Sequence, residues 1–277
     1  MKALKKIALI VNPTKPKSQP LAERLCALAE KFGVKAVQMQ SLKLGENDFE
    51  GFDAACVLGG DGTLLSCIKQ ALRADIPVFG INFGKLGFLA TFKDSISDWD
   101  FKFILDGNYK VSERALLSAK AKGKSYVALN DIVVRATAPV GMYEAIMHCD
   151  GEYLADYSAD GVIVSTPTGS TAYNLSAGGP LLTPQLNAYV LTPICPHALA
   201  NRSIIFDASS VLDIESPTQS GDVFIDGERI LTLAPGEKIR IEANPKKIKF
   251  LRAISHSHFK ILQNKLGWAE NPRGNRK

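Results

Sequence analysis

Residues 54–63 read Ala-Ala-Cys-Val-Leu-Gly-Gly-Asp-Gly-Thr, and this stretch narrows the folds open to the chain more than any other. Residues 53–58 form a short apolar run bounded by turn formers, the pattern of a buried strand. Gly59, Gly60 and Gly62 make a turn in which backbone approaches a ligand with no Cβ in the way. From Thr63 onward, Leu64, Leu65, Ile68, Ala71 and Leu72 fall at helical spacing, with Thr63 as the expected N-cap. A strand thus runs through a glycine turn into a helix, and one carboxylate, Asp61, stands at the tip. Backbone N–H groups at such a helix start suit phosphate. A carboxylate there repels phosphate unless it serves a proton or a metal ion. The structural alternative is an Asp that only caps the turn at Thr63. No Gly-Lys-Ser/Thr follows, so this is not a Walker sequence, nor is it the spaced dinucleotide fingerprint.

The flanking sequence says what kind of sheet holds this turn. Residues 6–11 are a continuous apolar strand that Asn12-Pro13 stops. Leu21, Leu25, Leu28 and Phe32 line one face of a helix that Gly33 ends, and residues 34–39 and 76–81 read as further strands. Strands alternating with helices predict a parallel sheet flanked by helices. In such sheets ligands bind beyond the carboxyl ends of the strands, where Asn12, Asp61 and Asn82 all stand. Residues 82–89, Asn-Phe-Gly-Lys-Leu-Gly-Phe-Leu, read either as a tight turn or as a wall of that site. Residues 99–105 predict a helix that closes this α/β domain, residues 1–110.

From about residue 111 the pattern changes to short strand-like runs with little helical periodicity: 114–121, 126–135, 143–149, 152–155, 161–165, 203–206, 211–215, 222–225, 229–233, 238–242 and 248–253. They predict a β-rich C-terminal domain over residues 111–254. Phe259, Leu262 and Leu266 predict a last helix, at about residues 255–270, that packs back on the first domain.

Residues 160–180 hold the chain's densest run of hydroxyls and glycines. A strand at 162–164 enters a loop carrying Ser165, Thr166, Thr168, Ser170 and Thr171, and a short helix opens near Thr171. These hydroxyls exceed what a helix cap requires. With backbone N–H groups they suit a neutral polar ligand such as a base or ribose, and Tyr173 can stack on a ring. Asn130-Asp131 interrupts an apolar strand with two polar residues that face opposite ways. A buried carboxylate there needs a partner or ligand; a bulge or strand end is the alternative.

Composition excludes several classes. The chain has 277 residues, 46% hydrophobic and 22% charged, with a formal net charge of +5. Its basic groups are spread out and lack interleaved aromatics, which argues against nucleic acid while leaving a mild field that favours anionic nucleotides. No apolar run reaches the length of a membrane span. The first apolar run ends at Val11 with no cleavage site after it, which argues against export. Cys26, Cys56, Cys67, Cys149 and Cys195 form no C-x-x-C pair and suit a reducing cytoplasm. His256 and His258 have no further metal ligand nearby in sequence.

Taken together, Gly59-Gly60-Asp61-Gly62-Thr63, Leu86-Gly87-Phe88-Leu89, Asn130-Asp131, Asp160-Gly161, the run from Ser165 to Tyr173, Ser176-Ala177-Gly178-Gly179-Pro180 and the closing Leu266-Gly267-Trp268 resemble the NAD kinase family over nearly the whole chain. The first motif alone also occurs in diacylglycerol-type lipid kinases and phosphofructokinases; the run from Asp160 to Pro180 is specific. The resemblance implies phosphoryl transfer from ATP or polyphosphate to the 2′-hydroxyl of the adenosine ribose of NAD, giving NADP, with Mg²⁺ or another divalent metal ion carried by the nucleotide. It also implies a β-sandwich-like second domain and a cytoplasmic homodimer or homotetramer. By position, Asp61 acts on the 2′-hydroxyl, and Gly62 and Phe88 wall the pocket. Asn130, Thr168, Thr171, Ala172, Tyr173 and Ser176 hold the adenosine, with Asp131 beside them. Asp160 approaches the nicotinamide end from the same or a neighbouring subunit. Ser158 stands where many relatives carry Arg or Gly, a departure that bears on the choice between oxidised and reduced dinucleotide. A lipid kinase using the same Asp61 turn needs a large apolar acceptor cleft, which the hydroxyl-rich run opposes. A non-catalytic dinucleotide sensor is the reading from another class, and the presence of Asp61 and Asn130-Asp131 speaks against it.

Overall fold

The computed structural model describes residues 2–84, 87–90, 92–137, 142–198 and 200–268. The chain divides into two units, Met1–Ser112 with Lys249–Lys277, and Glu113–Ile248. The opening stretch forms β1 (Lys6–Val11), α1 (Ser18–Lys31), β2 (Lys35–Gln40), β3 (Ala54–Leu58), α2 (Asp61–Leu65), α3 (Ile68–Ala74), β4 (Val78–Asn82), β5 (Phe92–Lys93), α4 (Asp98–Leu105) and β6 (Lys110–Arg114). The middle of the chain forms β7 (Leu117–Ala121), β8 (Lys124–Ala128), β9 (Asp131–Ala136), β10 (Tyr143–Cys149), β11 (Glu152–Ala159), β12 (Gly161–Ser165), α5 (Tyr173–Ser176), β13 (Ala188–Ile194), β14 (Ile204–Asp207), β15 (Val211–Glu215), β16 (Gly221–Ile225), β17 (Glu228–Leu233) and β18 (Lys238–Ala243). The end returns to the first unit with β19 (Ile248–Arg252) and α6 (His258–Leu266).

The first unit is an α/β layer structure. Its sheet runs β2-β1-β3-β4-β19-β6, with β5 beside β4. The pairs β1–β2, β1–β3, β3–β4, β4–β5 and β4–β19 are parallel. Every residue of β3 is buried, as expected of a parallel strand covered on both faces. Leu21, Leu25 and Leu28 of α1 pack with Ile7, Leu9, Cys56, Leu58 and Phe79 of the sheet. Residues 248–252, grouped above with the β-rich part, are instead a strand of this sheet, lying between β4 and β6.

The second unit holds two six-stranded sheets, β11-β10-β15-β18-β7-β8 and β14-β13-β12-β9-β16-β17. Their inner faces share one core: Met147, Leu212, Ile214, Ile239 and Ile241 from the first, Val134, Val162, Val164, Leu191 and Val223 from the second. This is an antiparallel sandwich, and β18 shows its logic, with Ile239 and Ile241 buried between exposed Lys238 and Arg240.

Three expectations change in detail. Residues 63–74 are two helices rather than one: Ser66 Oγ and Cys67 Sγ both turn back to the Thr63 carbonyl, at 2.8 and 3.3 Å, and compete for the acceptor that would continue the helix. The N-cap is Gly60, not Thr63, whose Oγ1 accepts instead from Asn12 Nδ2 at 2.8 Å. The strand expected over 126–135 breaks at Leu129-Asn130, and β13, which carries Pro193, lies outside the runs read as strands from the sequence.

Candidate functional site

Asp61 opens α2 at the carboxyl end of β3. Its carboxylate does not cap its own helix. It reaches the loop after β4, where Oδ2 accepts from Phe88 N at 3.0 Å and Oδ1 accepts from Leu89 N at 3.2 Å and Ala90 N at 3.0 Å. The capping alternative therefore fails. Gly87 makes the approach possible, since a Cβ there would lie 2.0 Å from Asp61 Oδ1. A carboxylate offers about four lone-pair sites. Three are taken by these amides, which leaves one on Oδ2 of this half-buried residue for a proton or cation. Phe88 lies at the same place, its ring 5.2 Å from Lys265 Nζ and 6.2 Å from the His258 ring of α6. Gly62 is exposed one residue beyond Asp61.

In the sandwich unit a pocket of about 400 Å³ is lined by Asn130, Asp131, Val133, Arg135, Ala172, Tyr173, Phe224, Asp226 and Gly227. Asn130, Asp131, Ala172 and Tyr173 were expected to share a site, and the structure brings those four together. Asp131 is 4% exposed. Burial pushes its carboxyl up to about 7, and the neighbouring Asp226 carboxylate adds to the rise. At neutral pH this group both donates and accepts, which matches a sugar hydroxyl better than a fixed charge would. Tyr173 is exposed at the rim, and the Arg135 guanidinium lies 4.5 Å over the Phe224 ring.

The hydroxyl-rich loop does something other than expected. Ser165 Oγ donates to the Asn130 carbonyl at 3.2 Å, Thr166 Oγ1 to the Leu129 carbonyl at 2.6 Å and Ser170 Oγ to the Pro167 carbonyl at 2.8 Å. Thr171 Oγ1 donates to the Thr168 carbonyl at 3.2 Å. Their hydrogens hold the loop and the Leu129-Asn130 segment in place; Thr168 Oγ1 is buried without a protein partner. Ser176 is exposed one turn beyond Tyr173. Ser158 donates to Met142 Sδ at 3.1 Å on β11, and Asp160 is exposed in the turn to β12 with its N–H on the Ile194 carbonyl at 2.9 Å. None of Ser158, Asp160, Thr168, Thr171 and Ser176 lines the pocket.

Asp226 escaped the reading of the sequence. Its carboxylate accepts from Leu129 N at 2.9 Å, Asn130 N at 2.7 Å and Asp131 N at 3.2 Å, and its N–H donates to the Asp131 carbonyl at 3.0 Å. It is the reason the strand breaks at Asn130. The available signal was Asp226-Gly227 between two β runs, a hairpin dipeptide; Arg135 and Phe224 carried none beyond strand alternation.

The chain matches the family model of the ATP-NAD kinase N-terminal domain over residues 43–109 and that of the ATP-NAD kinase C-terminal domain over residues 129–253. It is 34% identical to the NAD kinase of Sulfurimonas denitrificans, across 97% of this chain and 99% of that one. With the NAD kinase of Nitrosococcus oceani it shares 42% identity over 78% of this chain and 76% of the relative. Among solved structures, yeast NADH kinase complexed with NADH superposes with a TM-score of 0.86 at 24% identity, over 100% of this chain and 91% of that one. An NAD kinase from Archaeoglobus fulgidus in complex with ATP gives 0.80 at 24% identity, over 96% and 100%. At those identities the structural likeness speaks for the fold.

Proposed function

The chain belongs to the NAD kinase family, and from that premise we propose that it transfers a phosphoryl group from ATP or polyphosphate to the 2′-hydroxyl of the adenosine ribose of NAD, giving NADP. The observation that carries this reading is the Asp61 carboxylate, aimed by three backbone amides and left with one open lone pair on Oδ2. A carboxylate held this way accepts the hydroxyl proton as the oxygen attacks. Phosphoryl transfer asks mainly for positioning and charge neutralisation, and an aimed group supplies the first.

In this reading Asn130, Asp131, Ala172 and Tyr173 hold the adenosine in the sandwich pocket. Asp131, protonated below about pH 7, donates to or accepts from ribose hydroxyls, and Tyr173 stacks on the base. Thr168, Thr171 and Ser176 act at the rim of the same loop, Thr171 by holding the Thr168 carbonyl. Ser158 and Asp160 belong to the nicotinamide end, and two or four copies of the chain assemble around it, with exposed Asp160 as the residue a neighbour would offer. Mg²⁺ fits the donor set, because a single carboxylate such as Asp61 suits an ion held chiefly by phosphate oxygens and water. Bound with the nucleotide, it neutralises the phosphates. The five cysteines are free, which supports a cytoplasmic setting; among the described residues no helix is long and apolar enough to cross a membrane.

The test is direct. Purified protein is incubated with Mg²⁺, NAD and either ATP or polyphosphate, and NADP is read with an NADP-specific dehydrogenase. NADP formed with at least one donor is the expected result. Tight NAD binding with no NADP from either donor would make the chain a sensor and overturn the reading.

A further inference from the structure

The amides that aim Asp61 belong to a loop that is itself held from the far end of the chain. Arg252 is the last residue of β19 and is 3% exposed. Its Nη2 donates to the Phe88 carbonyl at 3.3 Å, and its Nη1 lies 2.7 Å from His256 Nε2. Phe88 thus bonds in both directions, its carbonyl to Arg252 and its N–H to Asp61 Oδ2. The next two amides, of Leu89 and Ala90, fix Asp61 Oδ1. We propose that Arg252, oriented by His256, is a positioning residue for Asp61: it pins the Phe88 carbonyl so that three successive amides stay turned toward the carboxylate.

Three features single out this role. The loop from Gly87 to Ala90 has one internal tie, Gly87 N to the Ala90 carbonyl at 3.0 Å, so its orientation depends on what grips it from outside. A buried guanidinium grips a carbonyl at a fixed angle through a planar fork, which an ammonium does not reproduce. β19 reaches the loop because it lies beside β4 in the sheet, and the loop leaves the end of β4. The consequence concerns rate rather than binding. Arg252 bonds the Phe88 backbone rather than the Phe88 ring, so its loss leaves that wall in place, yet a shift of the loop turns the carboxylate, and a misplacement of about 1 Å in a reacting group costs on the order of a hundredfold in rate.

The inference rests on the reading of Asp61 as the reacting group, and the experiment separates the two. Arg252→Gln, Arg252→Lys and His256→Gln are prepared in the full chain, Arg252→Gln also with Asp61→Asn. Amide hydrogen exchange at Phe88, Leu89 and Ala90 reads the brace without any turnover. Arg252→Gln should exchange these three amides at least tenfold faster, while amides of β1 and β3 keep their protection. In the kinase assay kcat should fall about 10- to 100-fold, with KM for NAD and for ATP within about threefold, Arg252→Lys and His256→Gln being intermediate. In the Asp61→Asn background the Arg252→Gln change should alter kcat by less than about twofold, because groups acting as one unit are non-additive. Unchanged exchange at the three amides, or an equal loss of kcat with and without Asp61, overturns the brace. An inactive wild type whose three amides are still released by Arg252→Gln overturns the kinase reading alone. If Arg252→Gln fails to fold, the exchange and kcat of Arg252→Lys and His256→Gln decide by the same criteria.

Discussion

At the scale of single residues, two carboxyl groups behave in opposite ways, and each gives a prediction. Asp61 is surrounded by donors. Replacing it with Asn keeps one acceptor oxygen but turns an NH₂ toward an amide of the loop, so one hydrogen bond is lost along with the charge. A general base contributes roughly 10²–10⁴-fold, and Asp61→Asn should lose about that much kcat. Its melting temperature should fall by about 2–12 °C, since one missing hydrogen bond costs about 1–3 kcal/mol and one kcal/mol is worth about 2–4 °C in a chain of this size class. Retention of kcat within about threefold would mean that the carboxylate only tethers the loop. Gly87→Ala should mimic the loss with Asp61 still present, because its Cβ would meet Oδ1 at 2.0 Å.

Asp131 faces the reverse situation, a carboxyl raised from 3.8 to about 7 by burial and by Asp226. Below its ordinary value both the folded and unfolded chains hold the proton, and stability is at its full level. As pH rises from about 4 to about 7 the unfolded chain releases the proton and the folded chain does not, so stability falls; above about 7 the loss is complete. Asp131→Asn removes this penalty. Thermal melts should show the variant higher than wild type by at least about 2–4 °C at pH 8, with the difference vanishing near pH 4. NAD affinity should drop in the same variant. A constant difference across that range would show that the carboxyl is not raised.

At the scale of elements, what positions the site is a set of backbone grips. Asn130 is fixed by Asp226 on its N–H side and by Ser165 and Thr166 on its carbonyl side. Gly169 lies so close that a Cβ there would stand 2.0 Å from the Asn130 carbonyl oxygen. Gly169→Ala must push that segment away, at a cost of about 1–3 kcal/mol. Steady-state kinetics should then show KM for NAD rising several-fold while KM for ATP stays unchanged; equal effects on both would mark a general folding defect. The same elements show what was legible in the sequence. Asp61 was readable because a strand, three glycines and a helix start leave few places for the residue between them. The hydroxyls of residues 165–171 were readable as unusual, but not which of them face a ligand. That depends on carbonyls 35 residues earlier in the chain, and local pattern does not encode such partners. Asp226 and Arg252 act through backbone atoms far away in sequence, so nothing beside them signals their role.

At the scale of the whole molecule, the chain enters the second unit at residue 113 and leaves it at residue 248, so the first unit is built from two separated segments. Each unit has a hydrophobic core of its own, yet the two differ in how they depend on chain continuity. The sandwich is contiguous, 136 residues by the bounds Glu113–Ile248, and within the usual size of an independently folding domain. Fragment 113–248 should therefore show a single cooperative thermal transition and dispersed amide resonances. The α/β sheet is not contiguous. β19 lies between β4 and β6, and its Phe250 and Leu251 are buried. Without residues 249–268, β6 has no neighbour in the sheet, the edge of β4 is bare at Val78 although β5 still pairs with its end, and Leu251 is missing from a core it shares with Phe79 and Phe101. Loss of one buried leucine alone costs about 2–5 kcal/mol, within reach of the 5–15 kcal/mol that holds a typical domain. Fragment 1–112 should accordingly fail to melt cooperatively, and exposed strand edges should make it aggregate. A synthetic peptide of residues 245–268 should restore a cooperative transition to it by supplying the missing strand and helix. A cooperative, peptide-independent melt of fragment 1–112 would show that β19 covers an already stable sheet rather than completing one.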